Sequence, residues 1–553
     1  MIRYLTFFFT LFLLASCSAK PPLVVSVIGT NDVHGQLVEN GDRGGLVNIS
    51  AYVAAIRDER AQDDGAALLI DAGDMWQGTL ESNLSEGAAM ISAYNALGYA
   101  AATIGNHEFD FGPRGAAATP SEPGHDPRGA LKERAREAKF PLLAANLIDT
   151  STGDLVDWEN VQPSILIDLG DIKVGVIGVM SLGALQATIA LNVGGLDVAP
   201  LVPAIQTQAE ELRNAGATLI IVTAHAGGRC GDFDDPYDLS SCREASEIFR
   251  VANALPAGLV DHIIAGHVHE GIAHIVNGTV ITSSYSNTRA FSRVDFFIDR
   301  SSGAVLKKKV FPPQATMNNS GYTVESLQPN PAVLSIANEA VQIAREIREA
   351  KIGIRLDTPF TLKGGPESAL GNLFTNALYE SLDVDVAIHN VLGGLRTELA
   401  AGDLQFGTVY ELSPFENRAV IIELLGSELR RVVAEQAYRG ERSVGFTGMT
   451  VSVACSDSNM HVAIELANGE IVSDDDVVTV AVNDYIATGG DNVMTSIMPA
   501  GGYAIDNTGP LVRDLFVEWL SARGGSIREE EFDTRQYPKW DRPQDMSTAC
   551  PLN

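Results

Sequence analysis

Five short apolar runs, each ending in metal-competent side chains, constrain this chain more than any other feature. Residues 23–29 lead into Thr30-Asn31-Asp32-Val33-His34-Gly35, and residues 66–70 into Asp71-Ala72-Gly73-Asp74. Residues 99–104 lead into Gly105-Asn106-His107-Glu108-Phe109-Asp110, 218–223 into Ala224-His225-Ala226-Gly227, and 259–264 into Gly266-His267-Val268-His269. Runs this short and this uniformly apolar read as buried strands. Between them, segments such as 47–58 and 201–214 carry apolar residues at helical spacing. Strands alternating with helices predict a layered, mixed α/β (α+β) domain. In open α/β sheets, ligands gather just outside the carboxyl ends of the strands, where all five polar clusters fall.

The histidine distribution turns that pattern toward chemistry. The chain has ten histidines, and His34, His107, His225, His267 and His269 all sit just beyond apolar runs. Any one alone reads as a turn histidine, and a lone Asp-x-His such as Asp32-Val33-His34 reads as surface. Five together, with Asp32, Asp74 and Asn106, point to one shared site. His125, His262, His274, His389 and His461 lack such context and read as structural or surface residues.

A chain of 553 residues exceeds one ordinary core, so two or more domains are expected. Its formal net charge of -31 repels a nucleic-acid backbone and disfavours a polymer-binding role. At the N-terminus Arg3 precedes an apolar stretch at 4–14, too short to span a membrane as a helix. The stretch ends in Leu14-Ala15-Ser16-Cys17, which resembles a lipobox; this predicts a leader at 1–17 and lipidation of Cys17. Ser18 lacks the aspartate associated with inner-membrane retention, a lean toward the outer membrane, facing the periplasm or cell surface. Cys230, Cys242, Cys455 and Cys550 remain, an even count that favours two disulfides in an exported protein. Cys230 and Cys242 flank a polar loop and are the favoured pair, worth about 3 kcal/mol of loop closure. No C-x-x-C spacing supports a zinc-thiolate site.

Around 318–330 the sequence turns polar, and 331–351 then shows helical spacing through Val333, Ile336, Val341, Ile343 and Ile347. This reads as a connecting helix, with Arg345, Glu346, Arg348 and Glu349 on its solvated face. The pattern then restarts in Ser368-Ala369-Leu370-Gly371-Asn372, Gly393-Gly394-Leu395-Arg396, Ser413-Pro414-Phe415-Glu416-Asn417 and Ala487-Thr488-Gly489-Gly490-Asp491.

The ordered set D-x-H, G-D, G-N-H-E, H and G-H-x-H resembles the calcineurin-like metallophosphoesterases over residues 23–299, and the later blocks resemble the C-terminal domain of 5'-nucleotidases. The combination is that of the bacterial 5'-nucleotidase and UDP-sugar hydrolase family. The resemblance implies a four-layer β-sandwich flanked by helices at 23–325, a linker and connecting helix at 326–351, and an α/β substrate-binding domain at 352–553. It implies two divalent cations of the Zn, Mn, Co, Ni or Fe class, which mixed nitrogen and oxygen ligands suit without choosing among them. Asp74 would bridge them; Asp32, His34 and His269 would complete one site, and Asn106, His225 and His267 the other. The metals would generate a hydroxide nucleophile and clamp the phosphate.

His107 would face the scissile phosphate, with Asp110 orienting it as in a His–Asp dyad; Asp71 reads as a second-layer partner or a structural residue. In the second domain, Phe415 and Tyr485 would clamp the base, Asn417 would contact it, Asp491 would accept from ribose hydroxyls, and Arg396 would hold phosphate oxygens.

Three positions depart from the family pattern. Only Lys363 stands where an arginine is usual, Asn390 lies one residue further from Arg396 than expected, and Tyr485 replaces a commoner phenylalanine. The implied function is a 5'-nucleotidase with a small-molecule nucleotide substrate; no protein partner is inferred. The alternatives are a related dimetal hydrolase of nucleotide sugars, 2',3'-cyclic nucleotides or a sulfur ester, and a nucleotide-binding lipoprotein without turnover.

Overall fold

The computed structural model describes residues 21–550 except 116, 121, 318–326, 364–366, 440–443, 457–458, 500–502, 504–508, 535–537, 544–545 and 547–549. The leader, including Cys17, lies outside the described residues, as does most of the polar stretch before the connecting helix.

The apolar runs form strands because nearly every side chain along them is buried. Leu23–Thr30 is buried at all eight positions, and Leu219–His225 at all seven. Leu23–Thr30 pairs in parallel with Ala66–Asp71, which pairs in parallel with Ala101–Thr103. Among the described residues these belong to an eight-stranded sheet. A second sheet of six strands holds Lys173–Met180, Leu219–His225 and His262–Ala265 side by side in parallel.

Alternation along the strands assigns one face of each sheet to a shared interior. Val25, Val27, Leu68 and Ile70 of the first sheet meet Val174, Val176, Leu219 and Ile221 of the second in one apolar cluster. The opposite face of the first sheet, with Ile28 and Leu69, packs against Ile49, Tyr52 and Ile56 of helix Gly45–Gln62. The opposite face of the second, with Ile220 and Val222, packs against Ile205 and Leu212 of helix Leu201–Asn214 and Phe249 of helix Glu247–Ala254. The order is helix, sheet, sheet, helix, the four layers expected for the first half of the chain. Register places Thr30 beside Asp71 and Ala224 beside Ala265, so both sheets deliver their carboxyl ends to one rim.

Helix Pro331–Arg348 follows, its first turn capped by the Asn330 side chain and begun by a proline. Its inward residues differ from those the spacing suggests. Val333, Ala337, Ala340 and Ala344 are buried, whereas Ile343 and Ile347 are 64% and 41% exposed. The helix lies close against helix Ala88–Leu97, and small side chains permit that approach. Arg348 is a further correction, because it does not belong to a solvated face. Its guanidinium makes paired bonds to both Glu81 carboxylate oxygens, 2.7 Å each, and a third of 2.7 Å to Glu411 of the second half. Helical periodicity records only that a face is polar; a partner from another element is invisible to it.

The second half is built from smaller sheets, including the four-stranded set Ala419–Leu425, Val477–Asn483, Val386–His389 and Gly445–Thr447. Helix Ala369–Ser381 covers it, capped by Ser368, whose side chain accepts from Gly371 N. Cys230 is bonded to Cys242 and Cys455 to Cys550, so the pairing favoured by loop length is the one formed.

Two buried histidines give the fold a pH dependence. Burial pushes His262 and His389 down to about 3 from the ordinary value, with Lys308 adding to the effect at His262. Both are neutral in the folded chain at moderate acidity but charge when it unfolds, so their contribution is complete above about pH 6.5 and is lost as pH falls toward 3. Between pH 7 and pH 5, each should cost about 2 kcal/mol of stability. Denaturant unfolding of His262→Gln should show that much less pH dependence than wild type, and an unchanged dependence would show that His262 is not held neutral.

Candidate active site

The rim gathers its side chains through backbone conformations that side-chain residues seldom adopt. Asp32, His34, Asp74, His267 and His269 all have positive φ, between 49° and 74°. Each such turn costs of order 1–3 kcal/mol and persists only where the surroundings enforce it. Here the loops are cross-braced: Asp32 N donates to Gly73 O, His34 N to Asp74 O, and His267 N to the Asp32 carboxylate. Gly105 is required for contact, since a Cβ there would overlap the Asp74 carboxylate.

Two groups of ligand-competent atoms result. Asp32, His34, Asp74 and His269 present atoms within 4.8 Å of one another, as do Asp74, His225 and His267. Asp74 belongs to both. The Asn106 side-chain oxygen joins the second group, 2.9 Å from His225 Nε2. His34 Nδ1 is 2.9 Å from Gln77 O and His225 Nδ1 is 2.8 Å from Ala72 O. Donation to those carbonyls leaves each Nε2 lone pair directed into the group, the usual way a protein orients a histidine ligand. Two nitrogen- and oxygen-rich groups sharing one carboxylate are a donor set that fits a pair of divalent cations.

These buried side chains strongly perturb one another's protonation. Burial disfavours ionised Asp74, yet His225, His107 and His34 hold it well below the usual carboxylate range. Burial opposes charge on His225 too, but Asp74 beside it, at 3.2 Å, raises it to about 10. His267 is lowered to about 4 by burial and by His225. Asp71 is pushed up to about 7 by burial and engages Thr30, Tyr94 and Gly73 N, one layer behind the rim.

His107 stands apart from both groups. Its backbone N–H donates to Asp74 Oδ1 at 2.9 Å, while its Nδ1 lies 2.6 Å from Asp110 Oδ2. Its Nε2 faces away from Asp110, 3.2 Å from Arg396 Nη2. Arg396 comes from the second half of the chain, and its guanidinium also lies over the Phe415 ring at 5.4 Å. A cleft of about 220 Å³ lies between the halves. Asp74, Asn106, His107, Asp110, His267 and His269 line one wall, and Arg396, Phe415, Asn417, Tyr485 and Asp491 the other.

The second wall is itself organised. Tyr485 packs its ring on Gly490, where a Cβ would come within 2.6 Å of ring carbons. Its hydroxyl lies 3.0 Å from Asp491 Oδ1, and Asn390 Nδ2 donates to Asp491 Oδ2 at 2.8 Å. A short helix, Val391–Gly394, lies between Asn390 and Arg396, and both residues line the cavity. The Asn417 amide donates to Asp484 at 2.9 Å. Lys363 does not line this cavity; it borders another, beside Glu367 and Glu529.

Glu108 and Gln77 were given no role by their sequence context. Glu108 is 1% exposed and its carboxylate accepts from the backbone of Asp74, Met75 and Gly105 at 2.6–2.8 Å. It locks the loop carrying Asp74 to the one carrying Asn106. Gln77 orients His34 and donates its amide to Pro414 O across the domain boundary at 3.0 Å. Glu108 stood in plain view within the motif, but three backbone donors converging on one carboxylate have no sequence signature.

Residues 25–271 match the family model described as calcineurin-like phosphoesterase, and residues 351–497 the model described as 5'-nucleotidase, C-terminal domain. The Vibrio cholerae protein named 5'-nucleotidase is 25% identical over 558 residues, covering 92% of this chain and 94% of its own. Endonuclease YhcR of Bacillus subtilis is 25% identical over 480 residues, covering 84% of this chain; the match spans 37% of that longer relative. The crystal structure of a 5'-nucleotidase precursor from Thermus thermophilus has the same fold, with a TM-score of 0.69 over 91% of this chain and 97% of its own, at 21% identity.

Replacing Glu108 by Gln sets an amide N–H₂ against backbone donors. Leaving a buried donor unpaired costs about 1–3 kcal/mol. Thermal unfolding of Glu108→Gln should report a loss of that order together with lowered metal content, whereas wild-type stability would deny Glu108 its bracing role.

Proposed function

Because the chain belongs to the calcineurin-like phosphoesterases that carry a 5'-nucleotidase C-terminal domain, we propose that it removes phosphate from nucleoside 5'-monophosphates. The observation that carries this reading is one cavity with two unlike walls: a paired metal-ligand set on one side, and aromatic, amide and carboxylate groups suited to a nucleoside on the other.

Asp74 would be shared by two divalent cations, with Asp32, His34 and His269 on one and Asn106, His225 and His267 on the other. When bound, such a pair supplies an acidified water and neutralises phosphate charge. Arg396 and His107 converge on the space between the walls, so a phosphate seated there would meet a guanidinium and an imidazole together. Asp110 engages His107 Nδ1 and leaves Nε2 toward that phosphate, where it stabilises charge on the leaving oxygen. Phe415 and Tyr485 would take the base between them, with stacking worth about 1–3 kcal/mol, Asn417 at its edge. Asp491 would exchange its present partners, Tyr485 and Asn390, for ribose hydroxyls.

A second reading, hydrolysis of nucleotide sugars, 2',3'-cyclic nucleotides or a sulfur ester, is favoured by the cation count. Arg396 is the one lysine or arginine lining the cavity among the described residues, so a monophosphate is less tightly caged than the family pattern implies. We also read the chain as exported and anchored by lipid at Cys17. Two formed disulfides support an oxidising compartment, and no helix among the described residues is long and apolar enough to cross a membrane.

A panel of AMP, UDP-glucose, 2',3'-cyclic AMP and a thiosulfonate conjugate tests these readings on the mature chain. Turnover, read as loss of each substrate, should be fastest on AMP, where it releases phosphate, and should stop on chelation and return with added divalent metal; preference for another substrate would select the second reading. AMP binding without turnover would select a silent nucleotide-binding protein. His107→Ala should keep its metal content yet lose about 10²–10⁴-fold in turnover, whereas loss of both metals would make His107 a ligand instead.

A further inference from the structure

Three consecutive residues beyond the second sheet touch three separate parts of the cavity. The short turn Ala184–Ala187 ends there, and Thr188 follows with an extended backbone. Gln186 O lies 3.2 Å from the Tyr485 hydroxyl of the opposite wall. Ala187 O accepts from the Asn106 amide at 2.8 Å. The Thr188 hydroxyl donates to Asp110 Oδ1 at 2.7 Å. Thr188 is 4% exposed and borders the cavity itself.

The bond to Asp110 matters because of what the other carboxylate oxygen does. Asp110 Oδ2 engages His107 Nδ1 at 2.6 Å. A carboxylate held at one oxygen can rotate about its Cβ–Cγ bond, for which the energy profile is broad. Held at both oxygens, it fixes the plane in which the imidazole lies and therefore the direction of Nε2. The donor is anchored in turn, because its two preceding residues are tied to Asn106 and Tyr485.

We propose that Thr188 is a positioning residue of the reaction: its hydroxyl fixes Asp110 and, through it, aims His107 Nε2 at the leaving oxygen. The inference rests on the reading of His107 and Asp110 given above. Its consequence is selective. An alkoxide leaving group needs charge stabilisation at the departing oxygen, whereas a nitrophenolate does not. Loss of the Thr188 hydroxyl therefore slows esters of alcohols and spares an ester of p-nitrophenol. A residue that only supports the fold would slow both alike.

The test compares wild type, Thr188→Val and Thr188→Ser, each metal-reconstituted, on AMP, glycerol 2-phosphate and p-nitrophenyl phosphate. The last two lack a base and differ in leaving group, which separates aim at the leaving oxygen from grip on the nucleoside. Thr188→Val should keep its metals and its KM while kcat on AMP and glycerol 2-phosphate falls about 10–100-fold, the usual effect of removing an outer partner. Its kcat on p-nitrophenyl phosphate should change little, and Thr188→Ser should recover the lost turnover. Equal loss on all three substrates, loss of metal, no loss at all, or failure of serine to rescue would each overturn the proposal. If wild type releases phosphate from none of the three, the functional reading fails first.

Discussion

Everything at the rim depends on one carboxylate. Asp74 sits in both ligand groups, accepts the His107 backbone N–H, and carries the negative charge that raises His225 to about 10. It holds that place against its own preferences: it is 1% exposed and has a left-handed backbone. The opposing forces are specific. Gly105 leaves room for its oxygen, Glu108 ties its backbone to the neighbouring loop, and three imidazoles offset its burial. Strain concentrated at a rim and balanced by a rigid sheet behind it is how functional geometry is ordinarily kept.

The sandwich beneath supplies that rigidity, and the second half of the chain supplies the opposite wall. The halves meet through polar contacts with defined geometry. Arg348 links Glu81 to Glu411, Gln77 reaches Pro414, Asn83 reaches Tyr410, and Tyr485 reaches Gln186. Two of these contacts lead directly into the ligand groups. Gln77 also accepts from the His34 imidazole, and Ala187, beside Gln186, accepts from the Asn106 amide. Each candidate ligand group therefore has a hydrogen-bonded route to the opposite wall of the cavity, with Pro414 adjoining Phe415 on one side and Tyr485 itself on the other.

The apolar runs were legible in the sequence because buried strands leave an unbroken hydrophobic record, and the polar blocks at their ends were legible because chemistry of this kind needs a few residue types in a fixed order. The helix after the linker was legible in its period but not in its inward face. Its buried positions are mostly alanine, chosen for close approach, and a hydrophobicity pattern weights the larger Ile343 and Ile347 instead. Arg348 looked like solvated charge for the same reason, since charge pattern along one helix carries no information about a carboxylate on another element.

The sequence by itself determined the layered fold, the candidate ligands and the His107–Asp110 pairing, because each depends on local spacing or on an ordered set of motifs. Tertiary structure alone decided that Arg396 meets His107, that Glu108 braces Asp74 and that Thr188 holds Asp110. Those three contacts join residues 289, 34 and 78 positions apart. They exist because two sheets bring distant strand ends to one rim and a second domain closes over it, and no property of a single segment encodes a meeting of that kind.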